Sequence, residues 1–249
     1  MEPSVHTLAL RQLADYRAGT PGTWFGEADR ADLNLADAYA VQAEVVALRA
    51  PDEHVIGYKV GCTGPGTRAQ FGLDGPIRAA LYATELHLSG VELAHGSYAN
   101  LAIEGELAVW LDDQAQIERI LPVVELHHYV FRGQPPTLQE LVANNGLNAG
   151  VVLPRTAGLP WRGDQPLSGR LQVEINGTTV DEGPMAGVPG GPAGSVEWLR
   201  AHLAAHGESL QPGQLVLTGT PLGLIPVRAG DHVRVTAEHL GSVEATIGT

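Results

Sequence analysis

Residues 101–128 read LAIEGELAVWLDDQAQIERILPVVELHH, and the rest of the chain is organised around this stretch. Two apolar runs, 101–111 and 120–126, are separated by a polar segment, which is the pattern of two strands joined by a loop. Carboxylates interrupt both runs. Because side chains alternate between the two faces of a strand, Glu104 and Glu106 lie on one face. The stretch therefore predicts a strand pair with an acidic patch on an otherwise apolar sheet.

The acidic patch has room around it and a third carboxylate nearby. Ala102 and Ala108 flank the Glu pair on its own face, and the second run places Glu125 and His127 together on one face. Burying an unpaired carboxylate costs on the order of several kcal/mol, and neighbouring carboxylates also repel each other. A divalent cation removes both penalties, and three carboxylates suit Mg²⁺ or Mn²⁺. A Glu-x-Glu strand is also typical of a solvated sheet face, so both interpretations stay open at this point.

The composition of the chain favours a globular protein and argues against several classes of binding protein. The 249 residues allow one large domain, or one domain with a small appendage, and 44% of them are hydrophobic, enough for a real core. The 31 Gly and 17 Pro are scattered between apolar segments, so we expect many strands and turns. The net charge of -13 argues against binding to nucleic acid or to an acidic membrane surface. No apolar run approaches the length of a membrane span.

Two further features of the sequence indicate the cellular compartment of the protein. Residues 1–12, MEPSVHTLALRQ, contain no basic segment followed by an apolar core, so we expect no signal peptide. Cys62 is the single cysteine, which excludes an intrachain disulfide. Both features favour a cytoplasmic protein in a reducing environment.

Lys59 is the only lysine, and every other basic side chain is an arginine. A buried lysine can lose its proton, whereas arginine keeps its charge, so a single retained lysine indicates a need for an ammonium group. Its position within the apolar run 55–60 predicts that it is at least partly buried. Genomic bias against lysine, with one survivor by chance, is the alternative.

The remaining periodicity predicts an α+β protein with mixed sheets. Helical spacing and capping residues predict helices over 5–18, 34–50 and 195–206, and a capping box opens a short helix at 137–140. Strands are predicted over 55–60, 171–175, 178–181, 214–218, 231–238 and 243–247. Residues 72–84 are predicted to be irregular.

Five segments in this order resemble the fumarylacetoacetate hydrolase superfamily. They are HVIGYKVGCT, AIEGELAVWL, LPVVELHH, VANNGLNAG and GQLVLTGTPLGLIPVRAGD. Within it, the chain is most similar to the 2-keto-4-pentenoate hydratases and the 2-oxo-3-hexenedioate (4-oxalocrotonate) decarboxylases of aromatic catabolism. The resemblance implies a β-rich mixed-sheet sandwich-roll, a Mg²⁺ or Mn²⁺ ion and homo-oligomers. It also implies a helical N-terminal region with the Lys59 strand, 1–80, packed on a catalytic core, 81–249, as one integrated domain.

The resemblance also implies roles for individual residues. The metal ligands would be Glu104, Glu106 and Glu125, and the catalytic residue would be Lys59. Further residues are candidates for substrate binding: Asp74, His127, Asn145, Thr218, Gly219 and Thr220.

The chain departs from the hydratase pattern around this site. Ala102 stands where the hydratases usually carry Arg, and Ile77 and Asn144 stand where they carry acids. Leu147 replaces a hydroxyl residue, and His127 begins a His pair that replaces small or acidic residues. The expected metal ligands are intact, whereas the surrounding acid–base and substrate residues are changed, which leaves the particular reaction open.

The function indicated by the resemblance is a metal-dependent lyase that acts on a small 2-oxo or 2-hydroxydienoic acid, as the hydratases do. Three alternatives use the same site: a 2-oxo acid decarboxylase, a tautomerase and a C–C hydrolase, any of them repurposed in a specialised biosynthetic pathway. A non-catalytic partner of an active paralogue is the alternative of another class. Retention of the three carboxylates and Lys59 favours an active enzyme, which could also associate with a paralogue or pathway enzyme.

Overall fold

The computed structural model describes residues 4–19, 33–72, 74–128, 136–163 and 167–249. The described helices are α1 (Val5–Arg17), α2 (Leu35–Arg49), α3 (Pro65–Phe71), α4 (Leu138–Ala143) and α5 (Gly191–Ala205). The first seven strands are β1 (Val55–Gly61), β2 (Ile77–Tyr82), β3 (Leu86–Leu88), β4 (Val91–Ala94), β5 (Leu101–Leu111), β6 (Ile117–His128) and β7 (Asn148–Leu153). The others are β8 (Leu159–Pro160), β9 (Arg170–Ile175), β10 (Thr178–Pro184), β11 (Leu215–Leu217), β12 (Ile225–Pro226), β13 (His232–Ala237) and β14 (Gly241–Gly248). Among the helices in these ranges, none is long and apolar enough to cross a lipid bilayer.

The strands form two sheets. The larger has nine strands in the order β2-β1-β11-β5-β6-β7-β3, with β12 paired to β5 and β8 paired to β6. The smaller has five strands in the order β10-β9-β13-β14-β4. Three strand pairs are parallel, β1 with β11, β3 with β7 and β4 with β14, and the other pairs are antiparallel. The predicted α+β class with mixed sheets is confirmed.

The two sheets pack face to face through one side of β5 and β6. Ile103 and Leu107 are fully or nearly fully buried in the core that the sheets share. A Cβ atom at Gly105 would lie 2.5 Å from Val173 Cγ2 and 3.2 Å from Val235 Cγ2, so only glycine allows this close approach. Because side chains alternate along a strand, the acidic residues of β5 point away from this core.

Helices α1, α2 and α4 form a second layer over the other side of the larger sheet. Their apolar faces cluster with Ile77 at the start of β2. As predicted, Asn34 caps α2 by accepting from the Asp37 N–H, and Thr137 opens α4 through a capping box with Glu140. The helical N-terminal portion therefore covers the sheet near the strand that carries Lys59.

Two local predictions are wrong for physical reasons. Residues 72–84 were expected to be irregular, but Ile77–Tyr82 is a strand paired with β1. All its residues are buried, so it lacks the alternation that marks a half-exposed strand. Helix α5 begins at Gly191 rather than at Ser195, with a proline in its first turn. Ser195 Oγ donates to the Thr218 carbonyl instead of capping the helix.

Strand β1 is an internal strand of the larger sheet, between β2 and β11. Lys59 therefore lies in the same sheet as β5 and β6, although it belongs to the predicted N-terminal region. That arrangement supports one integrated domain; the boundary near residue 80 stays a prediction.

Candidate active site and metal centre

The register of β5 and β6 brings the predicted acids together. Glu104 is directly opposite Glu125, Glu106 is opposite Val123, and Ala102 is opposite His127. Like charges directly opposite each other on neighbouring strands destabilise a sheet. The strand pair therefore needs a positive partner at this point.

Three side chains form a close cluster at this position. One ligand atom from each of Glu104, Glu125 and His127 lies within 4.8 Å of the other two. His127 Nε2 is 3.3 Å from Glu104 Oε2 and 3.4 Å from Glu125 Oε2. The side chains of Glu125 and His127 are 1% and 6% exposed, whereas that of Glu104 is 23% exposed and faces the adjoining cavity.

Lys59 reaches this cluster from β1. Its Nζ lies 2.7 Å from Glu125 Oε1 and donates a hydrogen bond of 2.8 Å to the Gly146 carbonyl. Gly146 has a positive φ of 59°, and a Cβ there would lie 2.8 Å from Lys59 Cε. The lone lysine is thus buried, as predicted, and a glycine makes room for its stem.

Glu106 lies beside the cluster with part of its carboxylate unpaired. The residue is 2% exposed, and its Oε2 has no hydrogen-bond partner among the described residues. Burial, together with the Glu125 and Glu104 carboxylates, raises the pKa of Glu106 well above its ordinary value. A buried, unpartnered carboxylate oxygen next to two more carboxylates fits a divalent cation, since such an ion favours the charged form and fills the vacant bonding direction.

The pKa values of Glu125 and Lys59 are shifted by the same cluster of charges. Burial alone raises the pKa of Glu125, but the Lys59 ammonium and His127 outweigh it and hold that pKa at about 2. Burial lowers the pKa of Lys59, but the carboxylates of Glu125, Glu104 and Glu106 outweigh it and raise that pKa. In the protein alone, Lys59 is therefore an ammonium; a cation among the carboxylates would act in the opposite direction.

Asn148 belongs to this site although its side chain was not singled out in the sequence. Its Nδ2 donates to Glu125 Oε1 over 3.0 Å, and its Oδ1 accepts from the Gly150 N–H. Asn148 is nearly fully buried at the start of β7. The residue lies in the quoted segment VANNGLNAG, but its partner depends on how β7 pairs with β6.

Only some of the predicted substrate-binding residues line the cavity beside the cluster. His127, Gly219 and Thr220 line the cavity beside the cluster. Thr218 and Asn145 use their side chains elsewhere: Thr218 Oγ1 donates to the Leu107 carbonyl, and the Asn145 amide bonds both backbone groups of Ala80. Asp74 is exposed and does not line the cavity. For these last three residues, the prediction of a substrate contact has no support in the geometry.

The cavity next to the cluster has a volume of about 770 Å³. Its polar end contains Lys59, Glu104, Glu106 and His127. Its other described walls are mainly glycines and apolar side chains, which include Phe71, Ile77, Leu141, Leu147, Leu222 and Leu224. The cavity suits a small molecule with one charged end and an apolar tail.

Comparison with known proteins agrees with the motifs. Residues 143–248 match the family model described as fumarylacetoacetate (FAA) hydrolase C-terminal. The 4-oxalocrotonate decarboxylase of Pseudomonas putida G7, solved with magnesium and adipate, superposes with a TM-score of 0.88 at 26% identity. The superposition covers 98% of this chain and 97% of that one.

By sequence and fold, this chain resembles proteins of the fumarylacetoacetate hydrolase superfamily. The resemblance inferred from the five segments is confirmed, and so is the sandwich-roll fold that it implies.

Two relatives in the superfamily catalyse different reactions. A 2-oxo-hept-4-ene-1,7-dioate hydratase of Escherichia coli is 28% identical over 236 residues, which cover 86% of this chain and 87% of the relative. A 4-oxalocrotonate decarboxylase of Pseudomonas putida is 28% identical over 233 residues, which cover 87% of each. Equal identity to a hydratase and a decarboxylase does not select a reaction for this chain.

Proposed function

We propose that this protein is a divalent-metal-dependent lyase that acts on a small 2-oxo acid or its 2-hydroxydienoic tautomer, in the manner of the 2-keto-4-pentenoate hydratases. The observation that carries the proposal is the pairing of Glu104 directly opposite Glu125, with Glu106 alongside, at the polar end of the cavity. Lys59 and His127 offset these three carboxylates only in part, so the residues leave a surplus of negative charge for a cation.

The proposed ligands are the carboxylates of Glu104, Glu106 and Glu125, as expected from the resemblance. Mg²⁺ or Mn²⁺ held there would supply a Lewis acid that stabilises negative charge developing on the oxygens of a 2-oxo acid. The named relatives include a magnesium-bound structure, which supports this choice of ion. Asn148 and Lys59 both hold Glu125 Oε1, and so fix the orientation of that carboxylate.

Lys59 is the proposed catalytic residue. Its ammonium lines the cavity and can bind the substrate carboxylate, or deliver a proton to the substrate carbon that becomes a methylene. Its Nζ is already held by Glu125 and by the Gly146 carbonyl, which orients the remaining N–H toward the cavity without a large loss of entropy.

Away from the carboxylate cluster, the described lining offers no carboxylate or imidazole as the base for hydration. Adding water to the alkene needs a group that takes a proton from the water, away from the carboxylate end of the substrate. Ile77 lines the cavity and cannot take a proton, and Asn144 donates its amide to the Glu140 carbonyl at the end of α4. We therefore expect ketonisation, or proton exchange at C3 of simple 2-oxo acids, to survive better than hydration of 2-hydroxypenta-2,4-dienoate.

Decarboxylation is the second candidate, and the fold comparison specifically favours it, since the 4-oxalocrotonate decarboxylase superposes over 98% of this chain. Like ketonisation, it needs stabilised charge on the 2-oxo end and no added water. Among the described lining residues, however, the end away from Glu104 has no cation that would bind a second carboxylate. The cavity thus supports a monocarboxylate better than a dicarboxylate.

A panel assay tests the proposal. The purified protein, with Mg²⁺ or Mn²⁺, is given 2-hydroxypenta-2,4-dienoate, 2-oxohex-3-enedioate and 2-oxopentanoate. Absorbance loss of the dienol, 4-hydroxy-2-oxopentanoate yield, CO₂ release and deuterium uptake at C3 are measured together. Metal-dependent hydration or CO₂ release supports the proposed lyase, whereas metal-dependent ketonisation or exchange alone would assign the site to the tautomerase alternative. No metal-dependent turnover of any substrate would instead favour the non-catalytic partner.

Hydration at a rate usual for enzymes, on the order of 10 s⁻¹, would show that another group acts as the base. The first residue to test would then be His127, which lines the cavity, and not Asp74, which does not.

We also propose that the protein works as a homo-oligomer in the cytoplasm. The single cysteine supports a reducing compartment, and the superfamily resemblance supports self-association. Size-exclusion chromatography with light scattering would measure the subunit number directly.

A further inference from the structure

We propose that His127 is a protein ligand of the divalent cation and that its imidazole shifts the preference of the site from Mg²⁺ toward Mn²⁺. The inference rests on the proposed metal site and extends it. The three-carboxylate set offers only oxygen, whereas this chain places a nitrogen donor among the carboxylates.

The position of His127 follows from the strand register. It lies two residues after Glu125 on β6, so both side chains project from the same face of the sheet. Its partner across the strand pair is Ala102, whose small side chain leaves space for the imidazole ring. Nε2 consequently reaches the acidic cluster, 3.3 Å from Glu104 Oε2 and 3.4 Å from Glu125 Oε2.

Within the described part of the chain, the hydrogen-bonding capacity of His127 Nε2 is unused. The atom is buried and has no hydrogen-bond partner among the described residues, since both carboxylate contacts are longer than an ordinary N–H···O bond. A buried polar atom without a partner destabilises the folded state. A cation shared by Nε2 and the two carboxylates would use the free nitrogen and relieve the repulsion between Glu104 and Glu125 at once.

His128 provides an internal contrast. It projects from the opposite face of β6, and its Nδ1 accepts a hydrogen bond from the Ala99 N–H over 3.1 Å. Its ring also packs edge-on against Tyr16. Local packing and one hydrogen bond explain His128, whereas His127 Nε2 lies next to carboxylate oxygens of the proposed metal site.

An imidazole nitrogen in the proposed metal site changes which divalent cation the site binds most tightly. Mg²⁺ binds oxygen ligands and retains its waters, whereas Mn²⁺, the first member of the divalent transition-metal affinity series, also accepts an imidazole nitrogen. We therefore expect tighter binding of Mn²⁺ than of Mg²⁺. Loss of a supporting partner commonly costs about 10–100-fold in metal affinity, so loss of a direct ligand should cost at least about tenfold for Mn²⁺. The loss for Mg²⁺ should be smaller.

The test uses Mn²⁺ and the full-length protein. Isothermal titration gives the Mn²⁺ and Mg²⁺ affinities of the wild type, His127→Val, His127→Gln and the control His128→Gln. Pulsed electron paramagnetic resonance of the Mn²⁺ complex detects a directly bound imidazole nitrogen in the wild type, and ¹⁵N-histidine labelling assigns the signal. The spectroscopic arm needs no variant, so a variant that fails to fold leaves the question answerable.

The expected result is a histidine nitrogen coupling in the wild type and in His128→Gln, with weaker Mn²⁺ binding in both His127 variants. Mn²⁺ bound without nitrogen coupling, and with unchanged affinity in both His127 variants, would overturn this inference while the carboxylate site stands. No Mn²⁺ or Mg²⁺ binding by the wild type would overturn both this inference and the proposed function.

Discussion

Two clusters of charged side chains in this protein differ in their balance of cations and carboxylates. The first, which we call the arginine cluster, comprises Arg49, Glu53, Glu85, Arg17 and Tyr16. Arg49 donates to both oxygens of Glu53, over 3.2 and 2.5 Å, and also pairs with Glu85. Arg17 lies 3.8 Å from Glu53, and the Tyr16 hydroxyl donates to Glu85. Two cations thus offset two carboxylates.

In the second cluster, Lys59 and His127 lie among three carboxylates. Lys59 pairs with Glu125, and Glu106 retains an oxygen without a partner among the described residues. The arginine cluster therefore has the composition of a structural ion-pair network, whose planar guanidinium binds two carboxylates at once. The Lys59 cluster has the composition of a binding site, because a bound cation would offset its surplus negative charge, which otherwise raises the pKa of Glu106.

The largest effect should come from Glu125→Gln. This change removes the partner of Lys59 and one proposed metal ligand together. Breaking a buried ion pair costs about 3–5 kcal/mol of unfolding free energy. Mn²⁺ at one hundred times its dissociation constant should stabilise the wild type by about 2.7 kcal/mol and should not stabilise the variant. Denaturant unfolding with Mn²⁺ or with chelator measures both effects.

Glu118→Gln is the matched control, since it changes an exposed carboxylate on the same strand. If Glu125→Gln keeps the full Mn²⁺-dependent stabilisation, the contrast between the two clusters is wrong.

The next effect is on turnover. Lys59→Ala should lower kcat by about 10²–10⁴-fold, the usual contribution of a positioned acid or base, while the protein still folds. Lys59→Arg should not rescue activity, because arginine keeps its proton and the stem lies close to Gly146. Steady-state kinetics with circular dichroism as the folding check measures this. Full activity in either variant would show that compositional bias explains the lone lysine.

Arg49→Met should affect stability alone. The change leaves Glu53 and Glu85 without their main cation, at a cost of about 3–5 kcal/mol. Mn²⁺ affinity should stay unchanged, because no residue of the Lys59 cluster contacts Arg49. Denaturant unfolding and Mn²⁺ titration separate the two quantities. An Arg49→Met protein that loses Mn²⁺ affinity while remaining folded would show that the clusters are coupled.

The smallest effect concerns pH and arises outside both clusters. Burial, His206 and Arg78 lower the pKa of His202 from 6.5 to about 4. The folded state thus resists a proton that the unfolded state accepts, so stability is lost as the pH falls from 6.5 through 4. His202→Gln should flatten this part of the profile in denaturant unfolding. The exposed His239→Gln serves as control, and an unchanged profile in His202→Gln would contradict the prediction.

Local sequence pattern was sufficient to predict many of the strands, helix starts and site residues of this protein. Alternation in 101–128 predicted the strand pair and the common face of Glu104 and Glu106, because strand geometry depends only on neighbours along the chain. Capping residues predicted the beginnings of α2 and α4 for the same reason. The order of five sequence segments indicated the resemblance to the superfamily, and the position of Lys59 in an apolar run indicated its burial.

Local sequence pattern was insufficient where a strand is buried on both faces and so lacks alternating polar residues. It was also insufficient where the hydrogen-bond partner of a side chain is distant in sequence. Strand β2 was missed because all its residues are buried. Asn145 and Thr218 looked available for a substrate, but their side chains complete backbone hydrogen bonds of other strands. Asn148 was overlooked because its partner, Glu125, is identified only by the pairing of β6 with β7.

The sequence by itself determined which chemical groups this protein has: three carboxylates within apolar runs, one lysine, and the strands that carry them. Only the tertiary structure decided which of these groups meet. The exact opposition of Glu104 and Glu125, the reach of Lys59 from β1, and the entry of His127 into the cluster all depend on strand register. Register is set by the packing of whole sheets, so the charge balance of a buried site emerges only after the chain has folded.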